Sequence, residues 1–102
     1  MKASQLEIPF IRKQNIGPFT AFYFTKPEGF DFLAGQYLQL SIPHLADEKG
    51  SSRYFTIASA PDEDELMVVT RMSESSFKKR LFALHEGMTV SCFGPIGLFV
   101  IT

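Results

Sequence analysis

The stretch Arg53-Tyr54-Phe55-Thr56-Ile57-Ala58-Ser59-Ala60-Pro61 lies between Ser51-Ser52 and the turn-forming Pro61-Asp62-Glu63-Asp64. Between those breaks it is rich in aromatic and β-branched residues, which predicts a strand. Side chains alternate along a strand, so Arg53 and Phe55 share one face, and Tyr54 and Thr56 share the other. A cation and a ring on one face suit a ligand with an anionic part and a flat part. Arginine offers a planar fork of donors for phosphate. Phenylalanine offers a face for stacking, and Thr56 adds a hydroxyl. An ordinary barrel strand, with Phe55 in the core and Arg53 in solvent, explains the same residues.

The pattern stays strand-like on both sides of this stretch. Residues 6–13 form a first expected strand, with Pro9 at an edge or a bulge. Asn15-Ile16-Gly17-Pro18 is a turn, and residues 19–25 form a second strand. Gly35 is a turn position. In residues 36–42, Leu38, Leu40 and Ile42 alternate with Tyr37, Gln39 and Ser41. That period of two marks a half-buried strand. Residues 43–52 read as a polar loop. Residues 66–71 and 88–93 are further strands, and Gly94-Pro95-Ile96-Gly97 reads as a turn out of the last one. The period changes between those two strands. Phe77, Leu81 and Leu84 fall at helical spacing, with candidate N-caps in residues 73–76 and Gly87 as a C′ residue. These elements predict a mostly β domain: a six-stranded antiparallel Greek-key barrel with one capping helix at about residues 75–85.

Composition sets limits. The 102 residues fit one small domain. The formal net charge is -1, with no basic excess of the kind a nucleic-acid surface carries. Eleven Phe, three Tyr and no Trp favour strands over a helix bundle. Cys92 is the single cysteine, in an apolar run that suits a buried thiol. His44 and His85 have no ligand-spaced neighbours, so no metal site is expected. No run is long and apolar enough to span a membrane, and residues 1–5 do not look like a signal peptide. A cytoplasmic location is the expectation.

The start of the predicted helix is the second region of interest. Unpaired N–H groups and the helix dipole favour anions there. Ser73, Ser75 and Ser76 add hydroxyls, and Arg71 lies just upstream. Glu74 competes with an anion unless it points outward. A routine serine-rich cap explains this segment equally well.

Three motifs in order change the balance: Gly35-Gln36-Tyr37, then Arg53-x-Phe55-Thr56, then Gly94-Pro95-Ile96-Gly97-Leu98-Phe99. Together they resemble the flavin-binding barrel of the ferredoxin–NADP reductase family, over essentially the whole chain. The resemblance implies the FAD-binding half of an NAD(P)H-dependent flavin oxidoreductase. In it, Arg53 pairs with the FAD pyrophosphate and Phe55 stacks on the isoalloxazine. Thr56, the expected catalytic position, lies near the flavin N5 edge. Thr70, Arg71 and Met72 line the ribityl and phosphate path, and Ser73, Ser75 and Ser76 hold the pyrophosphate at the helix start. Many family members have Tyr where Phe55 stands. FMN remains an alternative to FAD, because adenine contacts lie in variable loops such as residues 43–52.

The family's nucleotide domain, which binds NADH or NADPH as co-substrate, is expected in a separate segment or chain. The chain by itself is then not a complete enzyme. A homodimer or a separate nucleotide-binding or electron-acceptor protein is expected to cover the apolar run at residues 98–101, with Phe99 in the contact. The rival reading is a barrel that binds no flavin and serves as a protein-interaction or assembly module.

Overall fold

The computed structural model describes residues 3–42 and 52–97. The loop around His44 and the tail with Phe99 lie outside the described residues. Six strands and one helix follow in order: β1 (Ser4–Ile16), β2 (Phe19–Thr25), β3 (Tyr37–Ser41), β4 (Ser52–Thr56), β5 (Glu65–Thr70), α1 (Ser76–Phe82) and β6 (Thr89–Ile96). The strand order is β4-β3-β6-β1-β2-β5, with every pairing antiparallel. β3 lies beside β6 instead of β2, so the chain crosses over as the Greek-key expectation requires. The end strands meet beyond β4 through bonds outside a regular ladder. Ala58 N–H donates to the Met67 carbonyl at 2.7 Å, and Met67 N–H donates to Ser59 Oγ at 3.1 Å. The sheet is therefore barrel-like without a closing ladder.

β1 is long because it serves two neighbours in succession. It pairs with β6 up to Pro9↔Thr89 and with β2 from Phe10↔Phe24 onward. Pro9, which has no N–H, stands at this handover. Phe10 pairs with Phe24 and Arg12 with Tyr23, leaving Ile11 as the extra residue of a bulge. Gly17 then adopts a φ of 58° in the turn that brings Ile16 opposite Phe19.

Alternation fills the interior. Leu38, Leu40 and Ile42 are buried from β3 and the segment after it, Phe22 and Phe24 from β2, Leu66 and Val68 from β5, and Val90 and Cys92 from β6. Burying each large apolar side chain contributes about 1.5–3 kcal/mol. The rings pack edge to face: Phe10 and Phe24 have centroids 5.6 Å apart, and Phe22 and Phe82 5.0 Å apart. α1 closes one end of this core with Phe77 and Leu81.

Two expectations need correction. The helix ends at Phe82, short of the expected residue 85. Its end tightens, with Ala83 N–H bonded to the Arg80 carbonyl and Leu84 N–H to the Leu81 carbonyl. Leu84 stays buried, which is why the helical stripe continues past the helix. Gly87 is not the helix C′ residue. It takes a φ of 92° in the turn toward β6, and its N–H donates to the Phe10 carbonyl at 3.1 Å. The second correction concerns Gly94-Pro95-Ile96. These residues continue β6 instead of turning out of it, because Gly94 pairs with Ser4 and Ile96 with Tyr37. Glycine fits at 94 for steric reasons: an added Cβ would lie 3.2 Å from Leu38 Cβ and 3.3 Å from its Cα.

Candidate functional site

The strand register carries the expected faces into space. β4 pairs with β3 as Leu40↔Arg53, Gln39↔Tyr54, Leu38↔Phe55 and Tyr37↔Thr56. Phe55 thus lies beside buried Leu38 and points inward, and only 9% of it is exposed. Its ring stacks on Phe77 of α1, with centroids 6.0 Å apart and planes at 29°. Arg53 is half-buried on the same side. Its guanidinium carbon lies 5.2 Å from the Phe77 ring centre, and Nη1 donates to the Ser52 carbonyl at 2.8 Å. Phe55 therefore belongs to the core, as an ordinary barrel strand would have it. Arg53 lies against the helix start instead of standing in solvent.

The opposite face of β4 is open. Tyr54 is 63% exposed, and its ring meets Tyr37 edge-on at 5.7 Å. Thr56 is exposed on this face.

The segment from β5 into α1 brings the remaining residues together. Thr70 ends β5 and is half-buried, and Met72 is exposed. The Arg71 guanidinium lies over the Phe19 ring at 4.9 Å, so this side chain leans toward the start of β2. The Arg71 carbonyl accepts from Lys78 Nζ at 2.7 Å. Ser75 is the N-cap, its hydroxyl accepting from Lys78 N–H at 3.1 Å. Ser73 Oγ donates to Ser75 Oγ at 3.3 Å. Ser76 opens the helix and is half-buried. Glu74 points outward: its side chain is 99% exposed, with a carboxylate oxygen 3.7 Å from Lys79 Nζ. The serine-rich cap is thus real, and the acidic residue that would compete with an anion is turned away.

Gln36 ties the three sequence motifs together. It is buried, 7% exposed. Its Oε1 accepts from Leu33 N–H at 2.9 Å, and its Nε2 donates to the Gly97 carbonyl at 2.7 Å. Its own carbonyl accepts from Ile57 N–H at 3.0 Å, just past β4. One side chain and its backbone therefore join the Gly35 turn, the end of the Arg53 strand and the end of β6. Gln36→Leu leaves the Leu33 amide and the Gly97 carbonyl without these partners, at a cost of about 1–3 kcal/mol for each group left unsatisfied. Urea unfolding should show a clearly lower midpoint. An unchanged midpoint would mean that Gln36 does not brace the junction.

Sequence reading missed three parts of this arrangement: Gln36 as a brace, Phe77 beneath Arg53, and Lys78 on the Arg71 carbonyl. Phe77 carries no local mark, since its helical spacing signals only a core position. Cys92 matches its expected role. It is buried, and burial pushes its thiol pKa up to about 12, far from that of a nucleophile. Among the described residues no cluster of potential metal ligands occurs. None of their helices is long and apolar enough to cross a membrane, which leaves strands untested.

A six-stranded, barrel-like antiparallel sheet with one helix is the architecture expected of the flavin-binding barrel of the ferredoxin–NADP reductase family. Residues 10–101 match the family described as the oxidoreductase FAD-binding domain. The chain belongs to that family. Among solved structures, its fold is similar to a cytochrome P450 reductase from Amycolatopsis, with a TM-score of 0.77 and 24% identity over 98% of this chain and 30% of that one. It is similar to a ferredoxin NADP+ reductase from Neisseria gonorrhoeae, solved with bound FAD and NADP, with a TM-score of 0.72 and 20% identity over 86% of this chain and 36% of that one. It is also similar to phthalate dioxygenase reductase, with a TM-score of 0.75 and 20% identity over 96% of this chain and 32% of that one. The chain therefore spans about a third of the length of each. No curated protein matches the sequence.

Proposed function

We propose that this domain holds FAD along β4 and the start of α1, as the flavin half of an NAD(P)H-dependent oxidoreductase. The observation that carries the reading is the half-buried Arg53 guanidinium over Phe77 at the capped helix start. A planar cation beside serine hydroxyls has the donors that a pyrophosphate needs. The residues present fit the cofactor in charge and donor set. Arg53 binds the pyrophosphate, assisted by Ser73, Ser75 and Ser76. Thr70, Arg71 and Met72 border the ribityl and phosphate path, which requires the Arg71 side chain to lean away from Phe19. Stacking of the isoalloxazine on Phe55 requires that ring, now buried against Phe77, to turn outward. Thr56 ends β4 on its opposite, open face, so its hydroxyl reaches the N5 edge only with the isoalloxazine passing around the strand end.

FAD, when bound, supplies hydride acceptance and electron release. The chain's own residues bind it, orient it and keep its phosphates neutralised. The nicotinamide nucleotide is a co-substrate bound by another domain or chain, and a cytoplasmic location belongs to the same proposal. The test is direct. Apo-protein desalted from excess FAD should elute yellow at one flavin per chain, and dithionite should bleach it. A colourless eluate would instead favour a flavin-free interaction module.

The outer face of the β4-β3-β6 region supports a partner. Tyr54, half-buried Tyr37 and partly exposed Phe93 lie close together there in register with Gln39 and Thr56. We assign this face to a nucleotide-binding or acceptor protein, or to a second copy of the chain. Light scattering should show an assembly larger than one chain if copies pair. A monodisperse monomer would leave only the separate partner.

A further inference from the structure

Phe77 is fully buried, yet its ring does more than occupy volume. Arg53 Cζ lies 5.2 Å from its centre, and the Phe55 ring is stacked with it at 6.0 Å. We infer that Phe77 is a positioning residue of the flavin site, setting Arg53 and Phe55 relative to the start of α1 without itself contacting the cofactor. The inference rests on the proposed seat of FAD against β4.

A guanidinium is drawn to the electron-rich face of a ring at this range. A free arginine would lose its rotamer freedom on binding an anion. One already lying on a ring has lost part of it beforehand, so less affinity is forfeited. Phe77 is itself held fast. It follows Ser76 in α1, whose N-cap is Ser75. Lys78 Nζ ties the helix start to the Arg71 carbonyl at 2.7 Å. Lys13 Nζ, from β1, ties its end to the Phe82 carbonyl at 2.6 Å. A ring fixed this way at its backbone can hold two neighbours in register. An aliphatic side chain fills much of the same volume but has no π face, so substitution by leucine separates positioning from packing.

The test is a double-mutant cycle on FAD affinity. Apo wild type, Phe77→Leu, Arg53→Ala and the double variant are titrated with FAD, following quenching of flavin fluorescence. The temperature is one at which circular dichroism shows all four folded. Phe77→Leu should raise Kd about ten-fold, and Arg53→Ala should then cost about five-fold less than it does in wild type, since residues in contact couple. A ring that only packs would lower the melting temperature, leave Kd within about two-fold and give an additive cycle, as independent sites do. That result overturns the inference while leaving the flavin site intact. Wild type that binds no FAD would remove both. If Phe77→Leu does not fold, Phe77→Met, which also lacks the ring, carries the same cycle.

Discussion

Arg53→Ala should weaken FAD binding by about 2–5 kcal/mol, the range for truncating one partner of a desolvated charge pair. The size follows from its setting. Arg53 is half-buried, rests on Phe77 and lies at the capped start of α1. An exposed surface cation would contribute far less. Arg53→Lys should recover only part, because an ammonium cannot reproduce the planar fork or its stacking. Fluorescence titration of the apo-protein measures all three. Equal affinity in wild type and Arg53→Ala would remove Arg53 from the pyrophosphate site. The substitution should leave unfolding nearly unchanged, since the ring beneath stays packed on Phe55.

Phe55→Ala should act on fold and cofactor together. Truncating a buried phenylalanine typically costs about 3–5 kcal/mol through lost transfer energy and the cavity left behind. A domain of this kind has only about 5–15 kcal/mol in total, so the variant should unfold far more readily in urea. Its affinity for FAD should fall as well, because the stacking ring is gone. Phe55→Tyr should be tolerated, since many members of the resembling family have Tyr where Phe55 stands. Severe destabilisation by Phe55→Tyr would mean that the ring is wholly a core element. A Phe55→Ala variant as stable as wild type would contradict the packing described.

Much of the fold was legible because its signals are local. Leu38, Leu40 and Ile42 alternate cleanly, and all three are buried. The helical spacing of Phe77, Leu81 and Leu84 marked a helix between the fifth and sixth strands, where α1 lies. What failed depends on distant partners. Gly94-Pro95 reads as a turn in isolation, yet β1 and β3 on either side hold it as strand. The helix stops at Phe82 while its apolar spacing runs on to Leu84, because burial does not require helical hydrogen bonding. The site divides in the same way. Residue types in Arg53-x-Phe55-Thr56 and the serine-rich segment pointed to a phosphate and a ring. The depth of Phe55 and the wedge of Phe77 came only from α1 packing onto β4, a long-range contact that no local pattern records.

FAD is proposed to lie along β4 and the start of α1, and hydrogen exchange of backbone amides with and without saturating FAD reads out that seat. Protection should concentrate in residues 53–57 and 70–78, with the β1–β2 turn around Gly17 unchanged. Protection confined to other strands, or none at saturating FAD, would remove the flavin from this seat.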